Sequence, residues 1–249
     1  MTHQIALKLA VAEDRHGVLS RHPALALAAD REQQQLASIY YDTGRLALRR
    51  AGVLLRLRKR GVSWLQTVKR QDASDGGLTL RPEWQTPYLN HFDFSHVDDA
   101  ELRDWLQRDK IAGRLAPVFE TNFRRTLWML DRDRDTRILV KLDRGWIASN
   151  GRRDNISELE LQLVSGGIDG LYALALELAQ RHALPPLLLS KAERGYRLFL
   201  NAPARPIKAG DVPIDAADTP LTAFRLIALD CLSHLQLNHE GAVRGDDPE

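Results

Sequence analysis

The sequence predicts an α+β chain whose strands close into a barrel with a polar interior. Two patterns predict it. Roughly eight segments alternate apolar and polar residues at the two-residue period of a half-buried strand. Their polar faces are also single-signed. "LLRLRKRGVSWLQTVKR" at 54–70 carries six cations and no acid, whereas "SELELQL" at 157–163 sets Glu158, Glu160 and Gln162 on one face. An open sheet could leave such faces in water, but surface faces ordinarily mix signs. Segregated cations and acids on about this number of strands fit a closed barrel.

Taken in order, residues 4–9 alternate, with Ile5, Leu7 and Leu9 against Gln4, Ala6 and Lys8. A short helix is expected over 12–20, then a second helix or irregular chain to about 35. "ASIYYDT" at 37–43 reads as a strand, and 44–52 as a helical turn closed by Gly52. Strands at 53–60 and 63–70 meet near Gly61. "DASDGG" is a loop, and 78–86 resumes the strand pattern with Arg81, Glu83 and Gln85 on one face. Pro82 marks that strand as an edge or a bulge. An amphipathic helix follows at 97–109, with acids in its first turn. Strands are expected at 118–131, 136–143 and 156–164, and helices at 169–182 and about 188–199. The stretch 201–220, rich in Pro, Ala and Asp, reads as a linker. A last helix over 220–240 aligns Phe224, Ile227, Cys231 and Leu235, and one such helix cannot bury its own apolar side.

Composition narrows the function. The 249 residues are 44% hydrophobic and 27% charged, and 35 Lys plus Arg against 33 Asp plus Glu give a net charge of +2. An electropositive site must then come from the placement of charge, not its sum. The single cysteine, Cys231, permits no intrachain disulfide, which fits a reducing cytoplasm. With neither a long apolar run nor a signal peptide, a cytoplasmic, non-membrane protein is expected. No GxxxxGK[ST] or GxGxxG loop, no Ser-His-Asp or Cys-His arrangement and no HExxH spacing is present. Nothing points to sequence-specific nucleic acid, and none of the eight histidines reads as catalytic.

Like charges crowded in a bore repel unless partnered. A multivalent anion relieves the basic side and a divalent cation the acidic side. A metal-bound polyphosphate does both, and arginine's planar fork suits phosphate oxygens. Phosphoryl transfer needs positioning and charge neutralisation above all. Mg²⁺ or Mn²⁺ held by carboxylates would be the expected cofactor.

Several segments, in order, then carry a family resemblance: "YYDTGRLALRRAGVLLRLRKRGVSWLQTVKR", "GGLTLRPEWQTP", "VFETNFRRTLWML", "VKLDRGWI", "ISELELQLVSGG" and "LLSKAERGY". Over about residues 3–200 the chain resembles the CYTH domains, or triphosphate tunnel metalloenzymes, and among them bacterial inorganic triphosphatases with a C-terminal CHAD domain. The resemblance implies a closed eight-stranded antiparallel tunnel with helices packed outside. It implies a CYTH domain over 1–200, a linker over 201–219, and the start of a truncated CHAD helical domain over 220–249. It implies that Lys8, Arg56, Arg58, Lys69, Arg125, Lys191 and Arg194 bind the substrate, with Arg81 a weaker candidate and Arg124 the alternative to Arg125. Asp143, Glu158 and Glu160 would be the acids nearest the metal, and Lys8, Glu158 and Glu160 the catalytic groups.

The chain departs from the family's pattern at its first strand. Where Glu-x-Glu-x-Lys is expected it has Gln4-Ile5-Ala6-Leu7-Lys8. Gln85 and Gln162 also stand where acids are common. An amide lacks the charge and half the acceptor capacity of a carboxylate, and alanine has neither. Two readings follow. One is a metal-dependent triphosphatase cleaving tripolyphosphate to phosphate and diphosphate, weakened by Gln4 and Ala6. The other is a non-catalytic module for triphosphate, polyphosphate or nucleoside triphosphate. Adenylate cyclase or thiamine triphosphatase activity ranks below both. Structural alternatives stand beside these: Glu158 and Glu160 in ion pairs with basic strands, Glu83 in a structural ion pair, Asp143 in a turn before Gly145, Lys191 and Arg194 on an exposed helix face, and Cys231 buried. A homodimer through the outer helices is compatible with the sequence, with no residue pattern behind it.

Overall fold

The computed structural model describes residues 5–28, 30–70, 82–202 and 206–244. Its chain divides into two units, Met1–Leu200 and Asn201–Glu249. The first is built on eight strands: β1 (Ile5–Ala10), β2 (Arg31–Thr43), β3 (Val53–Arg60), β4 (Ser63–Arg70), β5 (Glu83–Pro87), β6 (Leu115–Asp131), β7 (Arg137–Ser149) and β8 (Arg152–Ser165). They form one antiparallel sheet in the order β1-β8-β7-β6-β2-β3-β4-β5.

The alternation read from the sequence sorts the sheet into two faces. On one, Leu9, Val140, Leu142, Leu159 and Leu161 pack against Leu171, Leu174 and Leu178 of α6 (Ile168–Ala179). Farther along the same face, Leu55 and Val68 meet Leu102 and Leu106 of α4 (Ala100–Gln107) and Ile111 of α5 (Asp109–Ala112). Asp99 caps α4 by accepting the Leu102 N–H at 3.0 Å. Three further helices, α1 (His16–Leu19), α2 (Pro23–Ala26) and α3 (Ala47–Arg50), are single turns.

The other face carries the charges, and here one expectation is corrected. Helix α7 (Lys191–Leu200) does not pack outside with the rest. Its Ala192 and Tyr196 pack on Tyr40, Leu54, Phe119, Phe123, Ile147 and Ile156, which fill one end of the charged face. A Cβ on Gly195 would lie 2.3 Å from the Phe119 ring, so this approach needs glycine. The barrel is not closed by hydrogen bonds: among the described residues β1 and β5 share no ladder. The free edge of β1 is taken by residues 185–187. The Ala10 N–H donates to the Pro185 carbonyl at 2.8 Å, and the Leu187 N–H to the Lys8 carbonyl at 2.9 Å. Covering an edge this way removes the unpaired groups that would otherwise recruit another strand.

β7 and β8 are longer than their alternation suggested. They join through Asn150 and Gly151, at φ 48° and 75°. These left-handed values make the two-residue hairpin turn that Asn-Gly favours. Gly61, at φ 59°, serves the β3–β4 turn. In the second unit, α8 (Pro220–Arg244) exposes Leu221, Phe224, Ile227 and Leu235. Cys231 is exposed as well, not buried as expected. No helix among the described residues is long and apolar enough to cross a membrane.

Candidate functional site

Register brings the predicted residues onto one face. Lys8 of β1 lies opposite Glu160 of β8, Glu158 opposite Asp143 of β7, and Asp143 opposite Arg125 of β6. Ser38 and Tyr40 of β2 face Arg58 and Arg56 of β3; Arg56 faces Thr67 of β4, and Lys69 faces Glu83 of β5. Every step lands on the same side of the pleat, so the row crosses all eight strands. Arg125 belongs to it, whereas its neighbour Arg124 points to the opposite side and is exposed. Gln4 and Arg81 lie outside the described residues.

α7 adds Lys191 and Arg194 from its first turn. Ser190 and Glu193 fix that turn by a reciprocal cap: the Ser190 N–H donates to Glu193 Oε2 at 2.8 Å, and the Glu193 N–H to Ser190 Oγ at 3.2 Å. The helix therefore starts at Lys191, and the two cations face the sheet instead of solvent.

The basic end holds Arg56, Arg58 and Lys69. Glu83 is its nearby acid, paired with Lys69 and 3.7 Å from Arg56. Glu83 therefore is in an ion pair, as its alternative reading held. Arg56 is buried; its Nη2 reaches Thr67 Oγ1 at 3.4 Å, and its Nε has no hydrogen-bond partner among the described residues. Arg58 donates to Ser38 Oγ at 3.3 Å. Burial, then repulsion from Arg56, pushes the Arg58 guanidinium down to about 10. Burial also lowers Lys69, against the support of Glu83. Among the described residues these cations share one nearby carboxylate, that of Glu83.

The acidic end is arranged differently. Asp143 lies mid-strand, not in a turn, with its side chain 2% exposed. It takes a two-pronged contact from Arg125 at 2.7 and 2.8 Å and accepts from Lys191 Nζ at 2.7 Å. Lys191 also donates to Glu158, bridging the two carboxylates. Burial opposes the charge on Asp143, Arg125 and Lys191. Even so, Arg125 and Lys191 hold the Asp143 carboxyl low, and Glu158 and Asp143 hold the Lys191 ammonium high. Arg194 donates to Asp154 at 2.9 and 2.7 Å and stands 3.9 Å from Glu158. Gly145 lets β6 come close beside this cluster, since a Cβ there would sit 2.2 Å from the Asn122 carbonyl oxygen.

One cation of the site escaped the sequence reading. Lys141 of β7 is buried and donates to Glu160 Oε1 at 2.7 Å and to Gln162 Oε1 at 2.5 Å. It lies two residues before Asp143, on the same face, and the period-two rule could have found it. Glu158 and Glu160 thus pair with lysines: Lys191 from a helix and Lys141 from the adjacent strand.

The donor set does not suit a resident divalent metal. Among the described residues no three Asp, Glu, His or Cys side chains converge to hold one. Asp143 spends both oxygens on Arg125 and Lys191, Glu160 is paired with Lys141, and Ala6 and Gln162 face each other where further carboxylates would have to stand. Glu158 Oε2 is the one buried acidic oxygen of the three left without a hydrogen bond.

Comparison with known proteins gives a consistent picture. The chain is 28% identical over 199 residues to an inorganic triphosphatase of Haemophilus influenzae, a match covering 80% of this chain and 55% of that protein. The chain thus spans about half the length of that relative. Among solved structures, a Hippeastrum protein assigned as an adenylyl cyclase, with a dominant triphosphatase activity, superimposes with a TM-score of 0.55 at 12% identity. That match covers 82% of this chain and 98% of the other and concerns the fold alone. A Bacillus halodurans protein assigned as an adenylate cyclase gives a TM-score of 0.48 at 16% identity over 77% of this chain and 96% of its own. The CYTH domain family matches residues 3–196, the span that holds all eight strands together with Lys191 and Arg194 of α7, and to that family the chain belongs.

Proposed function

We propose that the charged face binds tripolyphosphate, or the triphosphate end of a polyphosphate or nucleotide, inside a tunnel formed by the curling sheet. One observation carries this reading: Lys8, Arg56, Arg58, Lys69, Arg125, Lys191 and Arg194 line one face, and among the described residues Arg56, Arg58 and Lys69 share a single nearby carboxylate, Glu83. An anion that bridges them supplies what Glu83 alone does not. The low exposure of Asp143, Glu158 and Arg56 supports enclosure, because an open charged face would leave such groups in water. The tunnel need not have a hydrogen-bonded seam, since residues 185–187 cover the β1 edge.

In this reading the residues position and neutralise. Arg56 and Arg58 offer planar forks to phosphate oxygens. Lys69 and Lys8 add point charge at either side. Arg125 and Lys191, already committed to Asp143 and Glu158, hold the acidic end in place. A divalent ion, Mg²⁺ or Mn²⁺, would supply Lewis-acid polarisation of a phosphoryl group if these carboxylates held it. Here Asp143, Glu158 and Glu160 would have to give up their lysines and arginine to hold one, so turnover of tripolyphosphate to phosphate and diphosphate is weak. A second reading, binding without turnover, is favoured by Ala6 opposite Gln162.

Tripolyphosphate affinity by calorimetry, together with phosphate release in Mg²⁺ or Mn²⁺, tests both. Arg56→Ala and Arg125→Ala should each weaken binding about 10-fold or more, and Arg124→Ala should not, because a hydrogen bond to a charged group contributes about 1.5–3 kcal/mol. Gln4→Glu with Ala6→Glu should raise hydrolysis. Tripolyphosphate binding indifferent to Arg56→Ala sinks the anion site. Fast hydrolysis by the native chain that the double change leaves unaltered sinks the account of weakened turnover.

A further inference from the structure

Glu160 is flanked by an ammonium on each neighbouring strand: Lys8 of β1 and Lys141 of β7 both stand opposite it in register. Lys141 is the one bound in place. Its side chain is 10% exposed, and two of its three N–H donors go to Glu160 and Gln162. Gln162 in turn faces Ala6. Thus the oxygens that a hard cation would seek at this end, Glu160 Oε1 and Gln162 Oε1, already surround a positive charge. Mg²⁺ binds at about 2.0–2.1 Å in near-octahedral geometry and tolerates little departure from it. It could not approach these oxygens without expelling the ammonium.

We propose that Lys141 is a resident counter-cation standing in for a divalent metal at the acidic end, so that the site takes tripolyphosphate as the free polyanion instead of its metal complex. The inference rests on the anion-binding reading above and adds to it the form of the ligand. Lys141 neutralises Glu160, which would otherwise repel phosphate, and keeps one N–H donor in reserve. Lys8, which makes no ion pair within 4 Å among the described residues, supplies a second positive group beside the same carboxylate. A terminal phosphate lying between them meets two ammoniums where a metal-dependent site would present an ion.

The test is calorimetric titration of tripolyphosphate in EDTA and again in excess Mg²⁺, with the native chain, Lys141→Met, Lys141→Arg and Arg56→Ala. The native chain should bind in EDTA and lose about 10-fold or more in excess Mg²⁺, which ties up the free polyanion, and equal binding in the two media overturns the proposal. Lys141→Met should lose about 10-fold in EDTA, the scale of one charge-assisted contact, and recover part of it in Mg²⁺. Lys141→Arg keeps the charge and should keep binding in EDTA. Native binding that needs Mg²⁺ overturns the proposal, as does Lys141→Met binding like the native chain in EDTA. If Lys141→Met fails to fold, the native chain in the two media and Lys141→Arg still decide. Mn²⁺ titrated alone and followed by its free-ion paramagnetic signal should stay free in the presence of the native chain; one Mn²⁺ retained per chain at the tripolyphosphate site, and released by tripolyphosphate, also overturns it. Arg56→Ala should weaken binding in both media. Should it not, the anion site itself fails, an outcome separate from failure at Lys141.

Discussion

Replacing Lys191 with methionine removes a positive charge and leaves the volume nearly the same. In the native chain its ammonium lies between Asp143 and Glu158, each with a side chain only 2% exposed. The two carboxylates face one another across β7 and β8. After the change Asp143 keeps its two-pronged contact with Arg125, so its charge remains compensated. Glu158 does not: its next cation is Arg194, at 3.9 Å. Breaking a buried pair by deleting one partner costs about 3–5 kcal/mol, and the surviving Arg125 contact argues for the lower end, about 3 kcal/mol. For a chain of this size each kcal/mol moves the melting temperature by about 2–4 °C, giving a fall of roughly 6–12 °C at pH 7.5. Protonation is the remaining way to neutralise a buried carboxylate, so the penalty should shrink toward pH 5. Adding Glu158→Gln to Lys191→Met should recover much of the loss. Thermal unfolding at the two pH values, with single and double variants, measures all three effects. A loss below about 1 kcal/mol at pH 7.5, or one that is the same at pH 5, would refute the reasoning.

Two further outcomes can be checked on the same instrument. Gly145→Ala should destabilise by about 3 kcal/mol, because the new Cβ meets backbone atoms of Asn122 and Phe123 at 2.2 and 2.4 Å and β6 must move; a fall of under 2 °C would contradict that packing. Stability should decline on acidification in two stages. His16 and His22, held by burial below their ordinary 6.5, lose their contribution first as the unfolded chain takes up protons below that pH. Glu83, Glu160 and Asp143 are held low by their cations despite burial. Their contribution is complete above the ordinary carboxylate range and is lost as pH falls through their depressed values, below about pH 4. Urea midpoints at pH 8, 5.5 and 3.5 that rise with acid would reverse both signs.

The strands were legible because alternation is a local signal. β3 and β4 begin and end where the sequence put them, since Gly61 fixes their turn. β7 and β8 run past their alternating stretches because Asn150-Gly151 joins them in a two-residue hairpin, a signal of turn chemistry that the apolar period does not carry. The early part of β2 was missed for another reason: "REQQQ" has no apolar face of its own and is held as strand by pairing with β6, Arg31 opposite Trp128 and Gln35 opposite Arg124. The face of Arg125 could not be fixed from "NFRRT" alone and follows from register with Asp143. Long-range choices were the least legible. Nothing local marks α7 as lying on the charged face, although Gly195 against Phe119 makes that contact feasible. Lys141 lay within reach of the period-two rule, but its meaning depends on Glu160 from the next strand and Ala6 from the one beyond.

The inward helix has a consequence for traffic. Tyr196 meets Phe119 edge-on at 5.1 Å, and Phe119 stacks on Tyr40 at 4.3 Å, so aromatic rings fill one end of the charged face. In the proposed tunnel a linear polyanion would meet these rings, enter and leave by the opposite mouth, and present its terminus instead of its middle.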